Sequence, residues 1–172
     1  MNSPKGVLPS GTSAALPPGT LPSGVLPQLD TFSGALERYS GWGWLVLRSE
    51  NRLLLTTDHC VSAVEMPAGV GGEVQHYLAV RMLAGPVVVL PSGRWLILTG
   101  SADSASQVNL IRLRARGALT HRLGTLVPLP PSRIDGGGVR WLGEPAAGGP
   151  ALPPFSAVVA ALRAVTETAG LR

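Results

Sequence analysis

The sequence predicts an α/β (α+β) protein: a mixed sheet of short strands with about three helices packed on it, preceded by a disordered tail. Three observations carry that expectation. Short Val- and Leu-rich runs recur between Gly, Pro and Ser turns, as strands do. Two longer segments, near 74–82 and after Pro153-Pro154, carry apolar residues at helical spacing. Residues 1–29 show neither pattern.

The tail repeats one motif in near-copies, Leu8-Pro9-Ser10-Gly11, Leu16-Pro17-Pro18-Gly19 and Leu21-Pro22-Ser23-Gly24. Each Pro fixes φ and removes a donor, and each Gly costs entropy to order, so neither helix nor ladder is expected there. Its leucines are read either as docking points for a protein partner or as a drifting low-complexity extension.

The folded part, residues 30–172, is expected to form a single domain. It begins with a short helix carrying Phe32, Leu36 and Tyr39 on one face, capped by Thr31 or Ser33 and ended by Gly41 and Gly43. Trp44–Leu47 and Leu53–Thr56 read as two strands around the turn Ser49-Glu50-Asn51, and Val61–Met66 as a third. Gly69–Gly72 reads as a strand-to-helix turn. The helix after it places Val74, Tyr77, Leu78, Arg81 and Met82 on one stripe, stopped by Gly85-Pro86. Val87–Leu90 and Trp95–Leu98 form a hairpin around Pro91-Ser92-Gly93-Arg94. Val108–Arg114 alternates cleanly and reads as a strand. Leu126–Leu129 and Val139–Leu142 are shorter strands. The last helix carries Val158, Val159, Leu162 and Val165.

Composition narrows the chemistry. Of 172 residues, 45% are hydrophobic, enough for a core, and the net charge is +4. The basic residues are almost all Arg, a bias expected of a GC-rich bacterial genome. Cys60 stands alone, which excludes an intramolecular disulfide and a Cys-based zinc site. A cytoplasmic setting fits that count. No apolar run approaches the roughly 18–20 residues of a membrane span, and no membrane partner is expected.

Asp58-His59-Cys60 is the most chemical tripeptide. On a strand its side chains would alternate between faces and could not converge on one metal. Cys60 beside a Val-rich run reads as a small core residue. Gly69-Val70-Gly71-Gly72 opens a helix but lacks the spacing of either standard phosphate loop. The strongest charge feature is Arg112, Arg114, Arg116, Arg122, Arg133 and Arg140 against one acid, Asp135. On a strand, Arg112, Arg114 and Arg116 would project from one face, suited to phosphate oxygens or to guarding a sheet edge.

The order of several motifs resembles the prim-pol domain, the bifunctional DNA primase/polymerase family, over about residues 32–165. Gly41-Trp42-Gly43-Trp44-Leu45-Val46 is similar to the end of its opening helix and first strand. Val64-Glu65-Met66-Pro67 with Gly71-Gly72-Glu73 stands where the family has its acidic motif. Leu90-Pro91-Ser92-Gly93-Arg94-Trp95-Leu96 resembles its Thr-Pro-Ser-Gly-Gly-x-His hairpin. Pro130-Pro131-Ser132-Arg133 with Gly138-Val139-Arg140-Trp141 resembles its Pro-Pro-Ser segment and following strand. In active members two carboxylates of the first motif and one of the third hold divalent metal, and the His contacts nucleotide phosphates. Here only Glu65 remains at the first motif, Trp95 is read at the His position, and Gly117-Ala118-Leu119-Thr120 holds no third acid. The resemblance therefore implies a degenerate member, since two-metal phosphoryl transfer needs those carboxylates.

The resulting expectation is a catalytically inactive prim-pol-like domain, with no metal or cofactor, binding DNA or another polyanion through its Arg-rich strand. Glu65, Trp95 and Ser132 are its degenerate motif positions. The alternatives are a protein-interaction adaptor and an active nucleotidyltransferase using Glu65.

Overall fold

A computed structural model describes residues 31–103 and 105–169. The expectation of a disordered tail at 1–29 lies outside the described residues. Four helices, α1 (Thr31–Gly41), α2 (Ala68–Val80), α3 (Gln107–Ala115) and α4 (Phe155–Ala169), accompany ten short strands. The strands are β1 (Val46–Ser49), β2 (Arg52–Thr56), β3 (Ser62–Pro67), β4 (Val87–Val89), β5 (Arg94–Thr99), β6 (Leu119–His121), β7 (Leu126–Leu129), β8 (Arg133–Ile134), β9 (Gly137–Gly138) and β10 (Arg140–Trp141). The α+β class stands.

A five-stranded sheet in the order β10-β4-β5-β3-β6 forms the middle layer, and every pairing in it is antiparallel. Side chains alternate between its faces. On one face Val64, Met66, Val87 and Ile97 pack with Val74 and Leu78 of α2, Leu113 of α3 and Val158 and Leu162 of α4. On the other, Ala63, Val88, Leu96 and Leu98 pack against Leu53, Leu55, Val127 and Leu129 of a second sheet, β1-β2-β7, and against Tyr39 of α1. The layers are therefore helices, five-stranded sheet, and three-stranded sheet with α1.

The Gly-Trp-Gly-Trp segment is structural. Tyr39 lies 5.4 Å from Trp42 and 6.0 Å from Trp44 between ring centroids, and Trp141 of β10 approaches at 6.2 Å. The Tyr39 hydroxyl donates to the Pro130 carbonyl at 2.5 Å, and burial pushes its pKa up to about 12.

Several sequence expectations are corrected. Residues 107–115 form α3, not a strand. Ser106 accepts a hydrogen bond from the Asn109 backbone N–H as N-cap, and Gly117 at φ 72° lets the chain leave the helix. Arg112, Arg114 and Arg116 therefore do not share a strand face. Helical geometry sets Arg112 and Arg116 about 40° apart and Arg114 on the opposite side. The expected turn at Gly69–Gly72 is the first part of α2 itself, which begins directly after Pro67. Gly71 is required there because a Cβ would stand 2.9 Å from Cε3 of Trp95. The helix ends at Val80, so Met82 is exposed and Arg81 caps the terminus, its guanidinium 3.5 Å above the Tyr77 ring. The first strand sits two residues later than expected.

Candidate functional site

Glu65, the acid that the sequence comparison singles out, lies in the middle of β3. Register places Leu96 of β5 and Leu119 of β6 opposite it, on one face of the sheet. Arg94 and His121 lie diagonally on that same face, and both reach the carboxylate. Arg94 Nε donates to Glu65 Oε1, and His121 Nε2 donates to Oε2 at 2.8 Å. Arg94 Nη2 also donates to the Gly117 carbonyl at 2.9 Å, tying the start of β6 to the cluster. All three side chains are largely buried. Both Glu65 oxygens are thus engaged by nitrogen donors, and a divalent ion would have to displace a guanidinium or an imidazole to reach them. Among the described residues no group of three or more His, Cys, Asp or Glu could hold a metal ion.

Trp95 is on the wrong face to join Glu65. It pairs with Met66, points into the helical layer and packs on Gly71. Laid residue by residue from Leu90, the family hairpin ends its His at Leu96, one position beyond Trp95. Leu96 does face Glu65, but it is a buried aliphatic. Glu65, Trp95 and Arg112 therefore do not line one cleft. Ser132, of the Pro-Pro-Ser segment, is fully buried, and its hydroxyl serves the backbone of Leu53.

The six candidate arginines divide into separate groups. Arg112 and Arg116 line a groove of about 450 Å³ with Arg163 of α4 and Glu167. Arg114 and Arg122 line a second groove, about 540 Å³, with Leu110, Ile111 and Leu119 between α3 and β6. Nε of Arg122 is buried without a hydrogen-bond partner. Arg140 is on β10, at the opposite sheet edge from β6, about 19 Å away across four strand spacings. Arg133 belongs to the small β8–β9 ribbon. Placing Arg112, Arg114 and Arg116 at the end of α3 also complements its negative carbonyl terminus.

Sequence reasoning missed Arg94, His121 and Arg163. Register links Arg94 to Glu65 once the hairpin is placed, and Arg163 sits on the polar side of a helix read only for its apolar stripe. His121 carried no local signal, because three-residue β6 has too few positions to show alternation.

Asp58-His59-Cys60 forms a turn, not a strand. Oδ1 of Asp58 accepts from the backbone N–H of Cys60 at 2.7 Å and of Val61 at 2.8 Å. Cys60 is exposed, correcting its reading as a core residue. Nδ1 of His59 meets Oδ2 of Asp103 at 2.6 Å. That hydrogen bond raises the His59 pKa and lowers that of Asp103. The imidazolium contribution is present below the unfolded histidine pKa and is lost as pH rises through the folded one. The carboxylate contribution is lost as pH falls through the lowered Asp103 pKa. The charged pair therefore persists between those two folded values. An NMR titration should place the His59 midpoint above the ordinary histidine value, and Asp103→Asn should return it; an unchanged midpoint would contradict the pairing.

No described helix is long and apolar enough to cross a membrane. Comparison with family models, curated proteins and solved structures finds no match to this chain.

Proposed function

We propose that this chain is a non-catalytic, prim-pol-like domain that binds nucleic acid or a similar polyanion through the α3–α4 surface. The observation that carries the reading is the convergence of Arg112, Arg116 and Arg163 on one open groove, with Glu167 as its one acidic lining residue. Guanidinium forks suit phosphate oxygens, and such contacts bind without reading sequence. The non-catalytic half of the proposal is supported by Glu65, whose carboxylate is already held by Arg94 and His121. Salt-dependent binding of a generic oligonucleotide tests the proposal, with an Arg112→Ala, Arg116→Ala, Arg163→Ala chain as comparison. Primer extension that needs Mg²⁺ or Mn²⁺ and disappears in Glu65→Ala would replace it with an active nucleotidyltransferase.

A second reading, a protein-interaction adaptor, is favoured by Val108 and Ile111. They stand one turn apart on α3, Ile111 lines the α3–β6 groove with Leu119, and all three are exposed. Apolar residues interleaved with arginines suit a protein partner as well as a phosphate backbone. Loss of binding on Ile111→Asp without any oligonucleotide affinity in the parent chain would favour this reading.

A further inference from the structure

The five-stranded sheet ends at β6, the last strand in the order β10-β4-β5-β3-β6. Successive residues of a strand direct their N–H and C=O groups to opposite sides. The Leu98 N–H donates to the Pro86 carbonyl on the β4 side, so Ile97 turns to β3 and bonds its partner Val64. Ala63 and Glu65 therefore turn to β6 and bond His121 and Leu119. Thr120, between them, directs both its N–H and its C=O away from the sheet. Neither group has a hydrogen-bond partner among the described residues.

Thr120 also lines the groove of about 540 Å³ between β6 and α3. Ile111 and Leu119 line it as well, and they remain 67% and 41% exposed. Arg114 and Arg122 add positive charge, and no described acidic residue lines the groove. Neither arginine forms an ion pair among the described residues. Asp103 feels the charge of Arg122, but it is bonded to His59 and stands outside the groove.

An open strand edge that borders a groove accepts a further strand: main-chain bonds hold it, and its alternate side chains enter the groove. We propose that the α3–β6 groove binds an extended peptide with acidic and apolar side chains, which pairs with β6 through Thr120. The inference rests on the adaptor reading and not on the α3–α4 groove. Charge complementarity selects the acidic residue, and Ile111 and Leu119 select the apolar one. A nucleic-acid backbone fits less well. It carries phosphate acceptors and no N–H, so the Thr120 carbonyl would stay unpaired. A second copy paired through β6 would bring two sets of Arg114 and Arg122 together with no acid between them, a like-charge clash.

The test presents the full chain to a random library of short peptides and then follows the Thr120 amide. Selected peptides should carry Asp or Glu beside Val, Ile or Leu. A synthetic copy of one should slow hydrogen exchange at Thr120. Arg114→Glu, at an exposed position, should weaken its binding about tenfold or more, the scale of one charged hydrogen bond. Arg112→Ala with Arg163→Ala, in the other groove, should leave it unchanged. Absence of any selected peptide would overturn the proposal. So would a bound peptide that leaves Thr120 exchange unaltered, although its loss in Ile111→Asp would keep the adaptor reading. Protection of Thr120 by an oligonucleotide alone would overturn it in favour of nucleic acid. Protection that grows with protein concentration, without peptide, would overturn it in favour of a second copy.

Discussion

Trp95→Ala should destabilise the fold by about 3 kcal/mol, the low end of the range for truncating a packed tryptophan. Trp95 joins the helical-side core and lies against Gly71 at the start of α2. Removing the indole leaves a void that the Gly71 backbone cannot fill. Chemical denaturation should show the midpoint fall with little change in slope. The choice of replacement carries functional information as well. Trp95→His should not create a divalent-metal site, because its imidazole would enter the helical layer, across the sheet from Glu65. Saturable Mn²⁺ binding in that chain would show that the faces of β5 are assigned wrongly.

Ser132→Ala should cost about 2 kcal/mol, the penalty for leaving buried backbone polar groups unsatisfied. The β2–β7 ladder ends at Leu53 and Leu129, where the chain turns away through Pro130-Pro131. Ser132 takes over at that point. Its hydroxyl accepts from the Leu53 N–H at 2.7 Å and donates to the Leu53 carbonyl at 3.1 Å, and both residues are fully buried. Alanine would strand both Leu53 groups in the core. Beyond lower stability, amide exchange at Leu53 should accelerate, a readout that a general packing defect would not single out. Unchanged exchange at Leu53 would remove this role from Ser132. The Pro-Pro-Ser segment thus has a structural task independent of any catalytic history.

The parts of the fold legible in the sequence were those in which one physical signal acted alone. The hairpin of β4 and β5 followed from two Val/Leu runs around Pro91-Ser92-Gly93-Arg94, and α4 from four apolar residues at helical spacing behind two prolines. The segment 107–115 carried competing signals. Val108, Leu110, Ile111 and Leu113 suit an alternating strand almost as well as a helix. The cap at Ser106 and the stop at Gly117 decide for helix, and they are local features that periodicity does not register. The glycines at 69–72 misled for another reason. Gly71 is there to make room for Trp95, a tertiary contact more than twenty residues away, and not to form a turn. The strands β6, β8 and β9 are two or three residues long and exist only through their pairing partners.

The candidate site was legible at the level of residue type but not of arrangement. An excess of arginine on a chain poor in acids was plain. Its placement on a period-two face depended on the strand assignment and fell with it. Arg163 enters the grouping only because α4 packs beside α3. Glu65 was singled out as the acid nearest the expected motif, and its partners come from a neighbouring strand on either side, beyond what local spacing reveals.

The most direct test of the account is oligonucleotide binding as a function of salt. Each phosphate neutralised contributes about −0.9 to the slope of log affinity against log salt on duplex DNA. Arg112, Arg116 and Arg163 acting together should therefore give a slope near −3, with affinity indifferent to sequence. Their joint replacement by Ala should flatten that slope while leaving the thermal midpoint almost unchanged, because Arg112 and Arg163 are exposed, Arg116 is only half-buried, and surface substitutions usually cost under about 0.5 kcal/mol each. Absence of binding by the parent chain at about 50 mM salt, where screening is weak, or an unchanged slope in the triple variant, would contradict a polyanion-binding role for the α3–α4 surface.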